Sequence, residues 1–256
     1  MPPRIVVHLP HASLGIPNDV SFLLDPADLE GELLRMTDRY TDELFAFPAD
    51  VATTVAFPVS RLVVDPERFA DDAQEPMSRK GMGVVYTRTA EGRPLRAEPS
   101  TSERQRLLAR FYEPHHAALT TAVDAALAAH GTCLLIDGHS FPTRPLPYED
   151  DQDRDRPDIC ICTDASHTPA SLRDIAVRVF EAEGWRVAVD RPFAGALVPM
   201  RFYRTDPRVQ SVMVEVRRDL YMDEESGARL PGFDAVRGRI SGALRTVIAA
   251  VRTGGP

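Results

Sequence analysis

Short apolar runs rich in Val, Ile and Leu punctuate the chain at residues 4–9, 52–56, 62–64, 84–86, 132–136, 159–163, 187–189 and 212–216, with the length and composition of β-strands. Between them apolar residues recur every three or four positions, which predicts amphipathic helices over 28–45, 101–129, 170–183 and 233–251. The longest opens on Thr101 and Ser102 as capping residues and stops at His130-Gly131. It contains Pro114, which cannot donate a backbone hydrogen bond and predicts a kink or break after Tyr112. Strands alternating with helices indicate an α/β fold, with a mixed, mostly parallel sheet covered by helices on both faces. Residues 1–256 read as a single such domain.

In open α/β sheets, ligands bind beyond the carboxyl ends of the strands. Two strand runs carry imidazoles to that place. The first runs into Pro10-His11-Ala12-Ser13, and Leu134-Leu135-Ile136 runs into Asp137-Gly138-His139-Ser140. A lone histidine at a strand end is most often structural, whereas two such endings suggest a shared metal. Catalytic zinc takes three protein ligands and keeps one position open, so His11 and His139 require a third, a carboxylate. Asp38 and Asp42 lie four apart in the helical stretch 28–45 and so share one helical face; either could be the ligand, with the other supporting it.

Charge and composition narrow the partners. A net charge of −8 provides no basic footprint for nucleic acid. No stretch reaches about 18 apolar residues, and the N-terminus lacks the positive-then-apolar order of a signal peptide, so the expectation is a cytoplasmic protein without a membrane partner. Cys133, Cys160 and Cys162 sit inside strand patterns and read as buried reduced thiols rather than zinc ligands. Residues 65–96 form too long a connection to be minimal and are a candidate substrate cover. Residues 141–157 carry an acidic run, 149–155, which reads as a solvated loop because it lacks the glycine and closing glutamate of a calcium-binding loop.

Further blocks extend the picture along almost the whole chain: Asp38-Arg39-Tyr40-Thr41-Asp42-Glu43-Leu44-Phe45, Arg61-Leu62-Val63-Val64-Asp65-Pro66-Glu67-Arg68, Gly83-Val84-Val85-Tyr86, Tyr112-Glu113-Pro114-His115-His116, Arg191-Pro192-Phe193-Ala194-Gly195 and Val214-Glu215-Val216-Arg217-Arg218. With Pro10 to Ser13 and Asp137 to Ser140, they stand in an order that resembles the N-formylglutamate amidohydrolase family. The order, rather than any one short block, is specific.

The resemblance implies a fold related to the zinc-dependent carboxypeptidases, of the phosphorylase/hydrolase-like kind. It also implies a zinc-dependent hydrolase acting on a small-molecule N-acyl amino acid such as N-formylglutamate. By motif, His11, Asp38 and His139 would hold the metal and Glu215 would be the general base; Asp42, Asp137 and Ser140 would support the site. Glu215 also has a plain structural reading as a strand-end ion pair with Arg217 or Arg218. Arg61 and Arg68 flank Asp65, and an arginine fork suits a substrate carboxylate or oxyanion; Arg79, Arg88, Arg144 and Arg201 are weaker candidates. Ser13 and Ser140 stand in no GxSxG elbow and are set aside as nucleophiles. The chain departs from the family pattern at Glu67, where an asparagine is usual, at Cys160 to His167, and after Pro94. These departures leave open another N-acyl or N-formimino substrate, or a binding protein without turnover.

Overall fold

The apolar runs pair as one sheet. The computed structural model describes residues 1–252, in which β1 (Ile5–Leu9), β2 (Ala52–Ala56), β3 (Cys133–Phe141), β4 (Ile159–Cys162), β5 (Val187–Val189) and β6 (Val209–Arg217) lie in the order β2-β1-β3-β6-β4-β5. All pairs are parallel except β4 with β6. The sheet is thus mixed and mostly parallel, as the alternation of elements indicates.

Strand side chains alternate between faces, and the two faces bury different sets. Ile5, Val7, Leu134, Ile136, Ile159, Ile161, Val212 and Val214 pack with α5 (Ala170–Ala182) and α6 (Phe233–Arg252). Val6, Cys133, Leu135 and Val209 face the opposite way, against Leu119, Val123 and Ala126 of α4 (Glu113–His130). Each such aliphatic side chain contributes on the order of 1.5–3 kcal/mol by leaving water. On the α4 face the apolar residues belong to the amino-terminal halves of the strands. Toward the carboxyl ends the same face carries His8, Asp137, His139 and Glu215, all buried.

Several elements differ from the sequence pattern. The stretch 28–45 is two helices, α1 (Pro26–Met36) and α2 (Thr41–Leu44), separated by an extended Thr37 and by Tyr40 in the left-handed region at φ 67°. Asp38 therefore sits in a break, where its amide donates to the His11 carbonyl at 3.0 Å. The apolar runs 62–64 and 84–86 do not join the sheet. They pack as irregular segments in side clusters with Phe57, Leu107 and Met36, joined by a 2.8 Å bond from Asp65 N–H to the Val84 carbonyl. Three apolar residues fit a packed loop as well as a strand. Strand β3 also continues four residues beyond its apolar run's next position, Asp137, because β6 pairs with it as far as Phe141 and Arg217.

Pro114 acts as its chemistry requires. The long helix is α3 (Thr101–Leu107), a π-helical turn at Leu108–Tyr112, and α4, with the proline in α4's first turn. The three cysteines are free and buried, with Cys160 and Cys162 Sγ 3.3 Å apart. Among the described residues, no helix is long and apolar enough to cross a membrane.

Candidate metal and substrate site

Period-two alternation sets His8, Asp137, His139 and Glu215 on one sheet face, and parallel register places His139 directly beside Glu215. The loop after β1 adds His11, and the α1–α2 break adds Asp38. These groups line or adjoin a cavity of about 470 Å³.

His11 and His139 approach the same carboxylate. Asp38 Oδ2 is 3.6 Å from His11 Nδ1 and 3.1 Å from His139 Nδ1. The other ring nitrogen of each histidine faces a second buried acid: His11 Nε2 donates to Asp65 Oδ1 at 2.9 Å, and His139 Nε2 lies 3.2 Å from Asp137 Oδ1. Outer carboxylates of this kind fix the tautomer and ring orientation of metal-bound histidines. The free oxygen of Asp38, Oδ1, accepts from Arg218 Nη2 at 2.8 Å. Burial raises the Asp38 pKa, but the two nearby imidazoles and the Arg218 charge outweigh it, leaving the carboxyl well below its usual range.

The residues present fit a divalent cation. His11 Nδ1 is buried without a hydrogen-bond partner, in a side chain only 2% exposed. The acids around His139 overcome its burial and hold its pKa well above the ordinary imidazole value, with Glu67 and Asp137 the largest contributors. A site that raises an imidazole pKa in this way has a negative potential and attracts cations. His11, His139 and the previously unassigned Glu67 also form a compact donor group, and His8, Glu67 and Asp137 form another.

Glu215 stands apart. Its Oε2 has no partner, and the ion pair that offered its structural reading is not formed: Arg217 binds Asp158 and Asp219, while Arg218 binds Asp38. Burial pushes its carboxyl well above the normal range, opposed by His139 and reinforced by Asp38.

The arginines divide. Arg61 is committed to Asp65 Oδ2 at 2.8 Å and to the Tyr86 hydroxyl at 3.2 Å. Arg68 spends only its Nε, on the Met82 carbonyl at 3.4 Å and near Asp65, leaving its terminal fork at the cavity. Ser140 Oγ receives Arg218 Nε at 3.1 Å and so helps place the arginine that holds Asp38.

Two expectations need correction. Asp42 is exposed on α2, away from the cavity, because the helix break rotates it off the face it would share with Asp38. The acidic run is not wholly solvated: Glu149 is buried in an ion pair with Arg156 and lines the cavity. The weaker arginine candidates Arg79, Arg88, Arg144 and Arg201 do not line the cavity.

Sequence reasoning missed His8 and His115, whose Nε2 atoms lie 2.8 Å apart while His8 Nδ1 donates to Asp137 at 2.8 Å. One signal was available: a histidine inside the apolar run Ile5-Val6-Val7-His8-Leu9 must find a buried partner.

The profile of the N-formylglutamate amidohydrolase family matches residues 4–222. Among solved structures, the N-formylglutamate amidohydrolase from Ralstonia eutropha JMP134 is similar at 26% identity and a TM-score of 0.86, covering 99% of this chain and 95% of that one. A gene product of Agrobacterium tumefaciens shares the fold at 20% identity and a TM-score of 0.69, covering 98% and 92%. No curated protein matches the chain. With the family profile matched over most of its length, the chain belongs to the N-formylglutamate amidohydrolase family.

Proposed function

We propose that the protein is a metal-dependent amidohydrolase that cleaves the formyl amide of N-formylglutamate or a closely related N-acyl amino acid. The observation that carries this reading is the unpartnered His11 Nδ1 facing Asp38 and His139, with the unpaired carboxyl of Glu215 in register beside them. His11, Asp38 and His139 hold the metal, zinc or another divalent cation. When bound, such an ion polarises a carbonyl oxygen and lowers the pKa of a water molecule toward about 7.

The rest of the chemistry belongs to the chain. Glu215, as the carboxylate, takes a proton from the attacking water and returns it to the amine nitrogen as the C–N bond breaks, releasing formate and the free amino acid. Arg218 keeps Asp38 ionised and oriented. Asp65 fixes His11 and orders Arg61, while the open fork of Arg68 receives a substrate carboxylate.

A panel of N-formyl, N-acetyl and N-formimino amino acids, ranked by kcat/KM with metal-replete protein, tests the assignment. N-formyl-L-glutamate is expected to rank first or close to it. Turnover confined to substrates without a carboxylate, or ligand-induced stabilisation with no product from any of them, would contradict it.

A further inference from the structure

Glu67 has no task in the mechanism above. Its amide donates to Asp65 Oδ1 at 2.9 Å, which pins the segment and turns the side chain toward the histidines. Oε1 lies 3.2 Å from His139 Nε2 and 3.8 Å from His8 Nδ1, and Oε2 lies 3.8 Å from His11 Nδ1. Among the described residues, no lysine or arginine forms an ion pair with it, although its side chain is only 14% exposed. A carboxylate so desolvated needs a compensating cation, which here only an imidazolium or a bound metal ion can supply.

An independent feature points to the same space. His11 Nδ1 is buried and unpartnered, and the acids beside it are Asp38, with Oδ2 at 3.6 Å, and Glu67, with Oε2 at 3.8 Å. Resting on the reading of this site as a metal centre, we infer that Glu67 is itself a protein ligand, in one compact donor group with His11 and His139. Where the family pattern usually has a neutral asparagine, this chain supplies an anionic oxygen. An added carboxylate tightens binding of divalent ions and shifts selectivity toward oxygen-seeking Mn²⁺ relative to Zn²⁺.

The test uses metal-stripped full-length protein reconstituted with Co²⁺, Mn²⁺ or Zn²⁺ alone, comparing wild type with Glu67→Asn and Glu67→Gln. For Glu67→Asn, the expected results are Co²⁺ affinity at least ~10-fold weaker, a lower ratio of Mn²⁺ to Zn²⁺ affinity, and a visible Co²⁺ absorption band changed in position and intensity. Far-UV circular dichroism of the stripped proteins checks folding, and the near-isosteric Glu67→Gln stands in if Glu67→Asn fails to fold. A residue that only supports the ligands would weaken binding without changing the Co²⁺ band, so an unchanged band overturns the assignment. A wild-type protein that takes up no Co²⁺ at all overturns the metal-centre reading beneath it. Wild type and variant binding alike removes Glu67 alone.

Discussion

At the scale of single residues, the site separates groups that the sequence presents as equals. Glu215 and Asp38 are both buried acids, yet Asp38 is held ionised by an arginine and two imidazoles, while Glu215 has no cationic side chain paired to it and its carboxyl is driven up. A base must give and take a proton, and Glu215 alone is poised to do so. Glu215→Gln is expected to retain the metal and lose about 10²–10⁴-fold in kcat, the range of general acid–base contributions; metal analysis with steady-state kinetics checks both halves. Arg68→Ala is expected to raise KM for N-formylglutamate far more than it lowers kcat, because it removes a carboxylate fork and leaves the reacting centre intact.

His115 carries a different prediction. Burial pushes its pKa down to about 2, with neighbouring histidines adding to the effect, so the folded protein keeps it neutral where the unfolded chain titrates near 6.5. Between those values the unfolded state binds the extra proton, and stability must fall as pH drops below about 6.5. One such group accounts for at most ~1.4 kcal/mol per pH unit. Urea unfolding at pH 7, 6 and 5 is expected to show a shallower decline for His115→Asn than for wild type.

At the scale of elements, period-two alternation was legible in the sequence, and it is what delivers the site. The same alternation that buries Ile136 against the α5–α6 layer turns Asp137 and His139 to the other face, and the strand runs at β1, β2, β3, β4, β5 and β6 each contain or overlap an observed strand. What was illegible depended on tertiary contacts. Apolar spacing continues from Leu33 across Asp38 to Leu44, so nothing local marks the break; tying the Asp38 amide to the His11 carbonyl and the Tyr40 hydroxyl to the Gly227 carbonyl at 2.8 Å sets it. Glu67 was visible as a departure, but its nearness to three imidazoles follows from folding the 61–68 segment over the β1 and β3 ends.

Gly138 shows how tightly that arrangement is built. It lies between Asp137 and His139 with its Cα facing the α2 side, where an added Cβ would meet the Phe45 ring at 2.8 Å and Leu9 at 3.0 Å. Gly138→Ala is expected to cost roughly 1–3 kcal/mol, the usual range for overpacking a core, and to weaken metal binding by displacing His139. Chemical denaturation and metal titration of the same sample measure the two effects.

At the scale of the whole molecule, two layers of helix support one sheet whose polar groups gather on the α4 face, toward the carboxyl ends. Around that point stand Asp38, Asp65, Asp137, Glu67 and Glu215, against Arg61, Arg68 and Arg218. The most direct test follows formate release from N-formyl-L-glutamate while purified protein is stripped by a chelator and then reloaded. The account expects activity to fall to background as about one metal ion per chain is removed and to return when a divalent metal is restored. Undiminished formate release by metal-free protein would contradict it.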